Sequence, residues 1–290
     1  MSFTAFALVV VAAFIHATWN LLSKRAASAG PAFVFAYTAI ACVGYAPWVA
    51  WLLARGDLKW SVAGVTCIAL SGAIHLAYSL SLQRGYQVAD LSVVYPVARG
   101  TGPMLSSLGA FLLLGESPTL HGLLGLFAVV AGIGLISTQG NLSNFRRPGG
   151  QAGVRWGGLT GFLIANYTVV DAYAVKTVGI QPVILDWFAN LVRVVLLAPI
   201  VLRNPHVAWA RMRNHWPLAI GVGLLSPLSY ILVLAALESG APLSIVAPLR
   251  EMSMMVGALF GMIILHEPVG RGRLLGCFVL IAGVILLGAK

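Results

Sequence analysis

The chain has 290 residues, of which 59% are hydrophobic and only 9% are charged. Because an ordinary soluble domain carries about 25% charged residues, this composition indicates an integral membrane protein. The formal net charge of +10 would favour nucleic acid as a partner of a soluble protein. Here the basic residues are dispersed among short loops and form no patch with interleaved aromatic residues, which argues against that partner.

Ten apolar segments of about 20 residues follow one another along the chain, each long enough to cross a hydrocarbon core of about 30 Å. Their runs are continuous rather than alternating, which favours helices over barrel strands. We predict an all-α integral membrane protein whose ten transmembrane helices cover residues 3–23, 31–53, 61–83, 91–114, 120–138, 156–176, 182–202, 216–237, 242–265 and 270–289.

The basic residues predict how these helices are oriented. The odd-numbered connections hold eleven Lys and Arg residues, whereas the even-numbered connections and the C-terminus hold only Arg55, Lys59, Lys176 and Lys290. Because cytoplasmic loops are enriched in Lys and Arg, the odd connections are predicted to be cytoplasmic and both termini extracytoplasmic.

The second half of the sequence repeats the first with an offset of 152 residues, or 151 after one deletion. The matched pairs include Tyr78 with Tyr230, Ser92 with Ser244, Pro96 with Pro248, and Glu116 with Glu267. Each copy holds five predicted helices, and an odd number places the copies in opposite orientations about a pseudo-two-fold axis in the membrane plane. We predict a first five-helix repeat at 1–140, a cytoplasmic linker at 141–155, and a second inverted repeat at 156–290 around a central cavity.

The fourth helix of each half ends in LLLGESPT or IILHEPVG, and a glycine-rich helix follows, GLLGLFAVVAGIGLIS or RLLGCFVLIAGVILLG. With the duplication, these motifs resemble the EamA domain of the drug/metabolite transporter superfamily over nearly the whole chain. The resemblance implies a secondary transporter of a bacterial inner (plasma) membrane that exports amino acids, aromatic ones included, or related small metabolites by alternating access. Multidrug or cationic compound efflux by proton exchange is the alternative, although the small multidrug members rely on a first-helix carboxylate where this chain has His16.

Inverted-repeat carriers bind substrate near the midplane between their halves, so polar and aromatic residues inside the spans are the candidate cavity walls. The predicted substrate-binding residues are Trp19, Asn20, His75, Tyr78, Tyr95, Arg99, Trp187, Tyr230 and Arg250. The predicted coupling or structural charges are Asp171, Asp186 and Glu251. Pro96 and Pro248 are predicted hinges, because proline kinks a helix and frees carbonyl groups.

Arg99 lies in the middle of the apolar run SVVYPVARG. Burying a lone guanidinium in a bilayer costs at least about 2.5 kcal/mol, so the group must face water, an acid or a ligand carboxylate. Two interpretations stay open. Either Arg99, or Arg250 in VAPLREM, holds the carboxylate of an amino acid, or Arg99–Asp171 and Arg250–Asp186 ion pairs lock the halves together.

The remaining sequence features concern enzyme motifs, helix ends, oligomeric state and helix packing. HExxH, GxSxG and Walker-type motifs are absent from the sequence, so we expect no enzyme, and neither a cofactor nor a metal is predicted. Glu116 and Glu267 are expected to cap helices or close loops. Because one chain holds both halves, we expect a monomer whose partners are a small-molecule substrate and the lipid bilayer. Close helix packing is predicted at Gly122, Gly125, Gly132, Gly276 and Gly283.

Overall fold

The structure is a computed structural model that describes residues 1–56, 60–89, 91–138, 142–146, 150–257 and 270–288. Glu267, Lys59, Lys290 and the end of the ninth predicted span lie outside the described residues. The described helices are α1 (Phe3–Arg25), α2 (Pro31–Ala54), α3 (Val62–Val88), α4 (Leu91–Leu113), α5 (Leu120–Thr138), α6 (Gly150–Tyr173), α7 (Pro182–Leu202), α8 (Pro205–Met212), α9 (Trp216–Glu238), α10 (Leu243–Leu249) and α11 (Arg271–Gly288). Residues 252–257 are also helical, and a π-helix (Ala174–Val178) extends α6.

Within these residues, six helices are long and apolar enough to cross a membrane. They cover Phe3–Ser23, Pro31–Ala54, Val62–Gly85, Leu120–Thr138, Pro182–Leu202 and Trp216–Glu238. Apolar side chains such as Val43, Leu112 and Phe278 point outward, with exposed fractions of 75%, 73% and 69%. Such a surface suits lipid rather than water. The described chain is therefore all-helical and multi-pass, as predicted, while the other four predicted spans stay predictions.

Two connections differ from the prediction. α6 begins at Gly150, inside the segment predicted as a linker, because its first turns pack closely on α4. A Cβ added at Gly157 would lie 2.7 Å from the Val94 carbonyl oxygen. A short helix, α8, also occupies the connection between the seventh and eighth predicted spans, where only a polar loop was expected, and it exposes Trp209.

The long helices pack in five principal pairs: α1 with α9, α2 with α7, α3 with α6, α4 with α6, and α5 with α11. The larger apolar core draws on most of them and includes Val9 of α1, Ile133 of α5, Ile184 of α7 and Leu234 of α9. Helices α3, α6, α7 and α9 thereby surround a group of buried polar side chains.

Glycine brings α5 and α11 into backbone contact. A Cβ added at Gly132 would lie 2.8 Å from Leu280 Cβ and 2.9 Å from the Gly276 carbonyl oxygen. A Cβ added at Gly125 would lie 2.9 Å from the Gly283 carbonyl oxygen. Because small residues let membrane helices approach closely, these glycines pack as the sequence predicted.

The ninth predicted span is not one continuous helix. α10 ends at Leu249, and the chain turns at Arg250 and Glu251 before helix resumes at residue 252. Pro248 has no N–H to donate to the carbonyl four residues earlier. That carbonyl, on Ser244, instead accepts a hydrogen bond from Ser107 Oγ at 3.4 Å. Two charged residues therefore lie at a break in the helix.

Candidate functional site

Two narrow cavities lie between the helices. The first, called the arginine cavity, is lined by Asn20, Tyr78, Leu82, Tyr95, Ala98, Arg99, Thr160 and Ile164. The second, called the aspartate cavity, is lined by Ser71, His75, Asp171, Leu185, Asp186, Ala189, Asn190, Arg193 and Tyr230. Each has room for about one water molecule. Six of the nine predicted substrate-binding residues line these cavities.

The Arg99 guanidinium lies against Glu251, with Arg99 Nε 2.7 Å from Glu251 Oε2. Arg99 Nη2 also donates to Ser253 Oγ at 3.1 Å. Arg250 approaches the same carboxylate less closely, with 3.9 Å between Arg250 Nε and Glu251 Oε1. All three charged side chains are buried. This cluster, called the arginine cluster, holds two guanidinium groups and one carboxylate, which leaves one positive charge in excess.

Arg250 keeps unused hydrogen-bonding capacity. Its Nη2 is buried and has no hydrogen-bond partner among the described residues. Leaving a buried donor unpaired is costly, so the cluster favours an additional acceptor. A carboxylate fits the two-pronged guanidinium geometry particularly well.

The two ion pairs considered from the sequence, Arg99–Asp171 and Arg250–Asp186, are not formed within the described part of the chain. Glu251 is the acid that Arg99 contacts, because the turn after α10 directs its carboxylate towards α4. The two arginines therefore share one acid instead of having one acid each.

The aspartate cavity holds two carboxylates in unlike surroundings. Asp171 Oδ2 accepts a hydrogen bond from the Tyr230 hydroxyl at 2.5 Å. Asp186 accepts one from Asn190 Nδ2 at 2.9 Å, and Asn190 Oδ1 accepts one from Arg193 Nη1 at 3.0 Å. Asp186 is thus linked to a cation through Asn190, whereas Asp171 has no cation at ion-pair distance among the described residues.

The Arg193 guanidinium connects three helices. Its Nη2 donates to the Tyr37 hydroxyl at 2.9 Å and to Ser79 Oγ at 3.3 Å. Tyr37 on α2 and Ser79 on α3 were not among the predicted site residues, since single polar residues in apolar runs carry no pairing signal. Within the described residues, no group of His, Cys, Asp and Glu side chains is arranged to hold a metal ion.

An aromatic cluster separates the two cavities, with Tyr167 of α6 at its centre. The His75 ring stacks on Tyr167 with 3.8 Å between ring centroids. Tyr78 and Tyr230 meet Tyr167 edge to face, at 5.6 Å and 6.0 Å between centroids. Tyr78 lines the arginine cavity, whereas His75 and Tyr230 line the aspartate cavity. Edge-to-face packing is a favoured geometry for such rings.

Two predicted wall residues instead join helices. Trp19 Nε1 donates to Ser229 Oγ at 3.1 Å, linking α1 to α9. Trp187 Nε1 donates to the Cys42 carbonyl oxygen at 2.7 Å, linking α7 to α2. Neither tryptophan is among the residues that line the two cavities, so any role in binding stays a prediction.

Glu116 caps α10, in line with the capping or loop-closing role expected for it. Gly115 adopts a positive φ of 68°, which turns the chain after α4. Glu116 Oε1 accepts hydrogen bonds from Leu243 N at 2.7 Å and Lys176 Nζ at 3.1 Å, and Oε2 accepts from Ser244 N at 3.0 Å and Ser244 Oγ at 2.7 Å. Burial by itself would raise the pKa of the Glu116 carboxyl, but the hydrogen bonds from Ser244, Leu243 and Lys176 outweigh it, so the pKa lies below its ordinary value.

A multi-pass helical bundle that buries charges and polar cavities between its helices is typical of membrane transporters. The chain belongs to the EamA-like transporter family, whose sequence pattern matches residues 3–138 and 151–289. The family lies in the drug/metabolite transporter superfamily, as the motifs after the fourth and ninth predicted helices indicated.

Shorter relatives are similar over part of the chain. The "Multidrug resistance protein EbrB" of Bacillus subtilis (strain 168) is 38% identical over 74 residues, which are 26% of this chain and 58% of that protein. The "Probable 4-amino-4-deoxy-L-arabinose-phosphoundecaprenol flippase subunit ArnE" of Pseudomonas aeruginosa (strain UCBPP-PA14) is 35% identical over 83 residues, or 27% of this chain and 66% of that protein. A crystal structure of a protein that is 15% identical covers 99% of this chain and 96% of its own, with a TM-score of 0.75, which shows a shared fold.

Proposed function

We propose that this protein is a secondary transporter that exports amino acids or related small metabolites across the inner membrane of a bacterium by alternating access. Family membership supplies the transporter class, and the site supports the substrate class. The observation that carries the proposal is the excess positive charge buried in the arginine cluster, beside cavities walled by aromatic rings.

Arg250 is the residue assigned to the substrate carboxylate. Arg99 is already held by Glu251 at 2.7 Å and by Ser253 at 3.1 Å. Arg250 has only a 3.9 Å approach to Glu251 and an Nη2 without a partner among the described residues. It also lies at the helix break, and membrane carriers commonly bind substrates where helices are interrupted. A carboxylate at Arg250 would balance the charge of the cluster.

Tyr78, Tyr95, His75 and Tyr230 are assigned to the walls that receive the substrate side chain. Their rings offer apolar faces with polar tips, which suits an aromatic or apolar amino acid. Each cavity has room for about one water molecule, so substrate can enter only when the helices separate. The proposed hinges for that movement are Pro96 within α4 and Pro248 near the end of α10.

The arrangement that we infer is ten transmembrane helices in two inverted five-helix repeats, with both termini extracytoplasmic and one chain as the functional unit. Helix pairing supports it. The first helix of one repeat contacts the third helix of the other repeat twice, in the pairs α1 with α9 and α6 with α3. Equivalent helices of the two repeats meet in the pairs α2 with α7 and α5 with α11. A two-fold relation between the repeats makes each contact between unlike helices twice and allows equivalent helices to meet at the axis.

Efflux of cationic compounds by proton exchange is the second candidate. The 38% identity with EbrB favours it, and Asp171 offers a buried carboxylate without a cationic partner among the described residues. The excess positive charge of the arginine cluster disfavours it, because a cation placed beside two guanidinium groups is repelled.

Proteoliposomes that contain the purified chain separate these candidates. Release of a panel of labelled amino acids, aromatic and aliphatic, is compared with movement of an amphipathic cationic dye. Arg250→Ala is expected to lower amino-acid flux about tenfold or more, since a charge-assisted bond is lost, and Arg250→Lys is expected to restore part of it. Arg203→Ala, which removes an exposed arginine at the end of α7, serves as the matched control and keeps full flux. Dye movement without amino-acid movement would overturn the proposal in favour of the multidrug alternative.

A further inference from the structure

Three acidic side chains are buried among the described residues: Asp171, Asp186 and Glu251. Glu251 contacts Arg99 directly, and Asp186 reaches Arg193 through Asn190. Asp171 differs from both, because the donors beside it, the Tyr230 and Ser71 hydroxyls, are neutral.

The lining of the aspartate cavity holds more carboxylates than cations. Asp171 and Asp186 share it with the single guanidinium of Arg193, and Arg250, which faces Asp171 from outside the lining, is paired with Glu251. An unmatched charge inside a membrane protein is expensive, and one proton on a carboxylate removes it. We infer that Asp171 is the proton-binding site of this transporter, and that its proton is exchanged for substrate during export.

The two oxygens of Asp171 are suited to different tasks. Oδ2 is held by Tyr230 at 2.5 Å. Oδ1 has no hydrogen bond of normal geometry among the described residues, although Asp171 is fully buried and the Ser71 hydroxyl lines the same cavity. Oδ1 is therefore free to carry a proton. The cavity has room for about one water molecule, which provides a donor and acceptor for that proton.

Asp171 also precedes the π-helix Ala174–Val178 by less than one turn. Single π-helical turns occur frequently at functional sites, because they change which backbone groups are paired. Here Gly179 ends the π-helix with a φ of 78°, and the chain turns immediately into α7, which carries Asp186.

The groups around Asp171 come from several helices. The titratable or charged side chains that face it are His75 and Cys67 of α3, Tyr167 of α6 itself, Asp186 and Arg193 of α7, Tyr230 of α9, and Arg250 after α10. His75 is stacked on Tyr167 and its Nδ1 lies 2.9 Å from the Ser71 carbonyl oxygen. That ring nitrogen donates to the backbone, whereas Asp171 has an oxygen without a hydrogen bond among the described residues.

Infrared difference spectroscopy of the purified chain in lipid tests the site without any substrate. The wild type should show the C=O stretch of a protonated carboxyl group near neutral pH, and Asp171→Asn should lose it. Glu116→Gln, which removes a carboxylate that is charged at neutral pH, is the matched control and should keep the band. Asp171→Glu should restore a shifted band if the asparagine variant folds poorly. A wild type without the band, or an asparagine variant that retains it, would overturn the inference.

Transport by proteoliposomes gives the second readout and rests on the proposed function, with labelled phenylalanine as the probe. A pH gradient should drive the wild type to accumulate phenylalanine. The Asp171→Asn variant should only equalise the phenylalanine concentrations on the two sides of the membrane. It should still exchange labelled for unlabelled phenylalanine at equal pH, because exchange needs no net proton movement. Accumulation by Asp171→Asn at the wild-type level, loss of exchange from the folded variant, or accumulation that follows a sodium gradient instead would each overturn it. If the wild type moves no phenylalanine, that result bears on the proposed substrate, and the infrared band decides the proton site.

Discussion

Arg99 and Glu251 occupy equivalent positions in the two sequence repeats, and their side chains meet at 2.7 Å. They are 152 residues apart, as are Pro96 and Pro248. The repeat therefore carries opposite charges at one position, and the pair joins α4 of the first half to the helix break of the second. A symmetric pair of like charges at this position would repel.

Removing either member of this pair should destabilise the protein. Arg99→Ala leaves Glu251 with Arg250 at 3.9 Å as its charged neighbour, and Glu251→Gln leaves two guanidinium groups beside each other. Breaking a buried pair from one side typically costs about 3–5 kcal/mol in the free energy of unfolding. Denaturant titration of the purified chain measures it.

The double variant Arg99→Glu with Glu251→Arg tests whether the pair or the individual side chains matter. It keeps both charges but exchanges them between the repeats, so it should recover part of the stability lost by each single change. Unfolding free energies that simply add would contradict a direct interaction between the two residues.

The glycine contact between α5 and α11 predicts a contrast within one helix. Gly132→Ala would place a Cβ 2.8 Å from Leu280 and should lower the free energy of unfolding by about 1–3 kcal/mol. Gly134→Ala on the same helix meets nothing within 4 Å, so it should be neutral or slightly stabilising. Thermal unfolding in detergent compares the two variants, and equal effects would count against close packing at Gly132.

The Glu116 cap should make stability depend on pH. Because the folded-state pKa of Glu116 is below its ordinary value of 4.5, the cap contributes stability above that pH and loses it as the pH falls through the folded-state value. The difference in unfolding temperature between wild type and Glu116→Gln should be largest at neutral pH and shrink in acid. A difference that does not change with pH would show that charge on Glu116 is not responsible.

Trp187→Phe separates a structural role from a role in binding. The change keeps an aromatic ring but removes the hydrogen bond to the Cys42 carbonyl, which should cost about 0.5–1.5 kcal/mol of stability, the usual net contribution of one hydrogen bond. Substrate selectivity of the proteoliposomes should not change. The matched control is Trp209→Phe, whose ring is 66% exposed on α8. A change in substrate selectivity with unchanged stability would indicate that Trp187 contacts the substrate.

Local sequence signals predicted much of this molecule. Apolar length indicated the membrane helices, and Gly115 followed by Glu116 indicated a helix end with a cap, because those features depend on neighbouring residues. The break after α10 was predicted only as a kink at Pro248. The length of the interruption in the helix depends on contacts with distant parts of the chain. Ser107, for example, is 137 residues from Ser244, whose carbonyl oxygen it contacts.

Charge partners could not be predicted in the same way. Arg99, Asp171 and Glu251 were all recognised as intramembrane charges, but several acids and arginines were available and pairing depends on distances between helices. Glu251 pairs with Arg99 because the turn after α10 directs the Glu251 carboxylate towards α4. The sequence neighbours of Tyr167 on α6 do not show that it meets rings from α3 and α9.

The glycine contact between α5 and α11 also limits how the two halves can move. Gly125 lies opposite Gly283, and Gly132 lies opposite Gly276, so the two antiparallel helices fit in one register. A shift along their length would drive Leu280 into a backbone that has no room for it. If the proposed halves move against each other, this contact disfavours sliding of α5 along α11 and favours rotation about their line of contact.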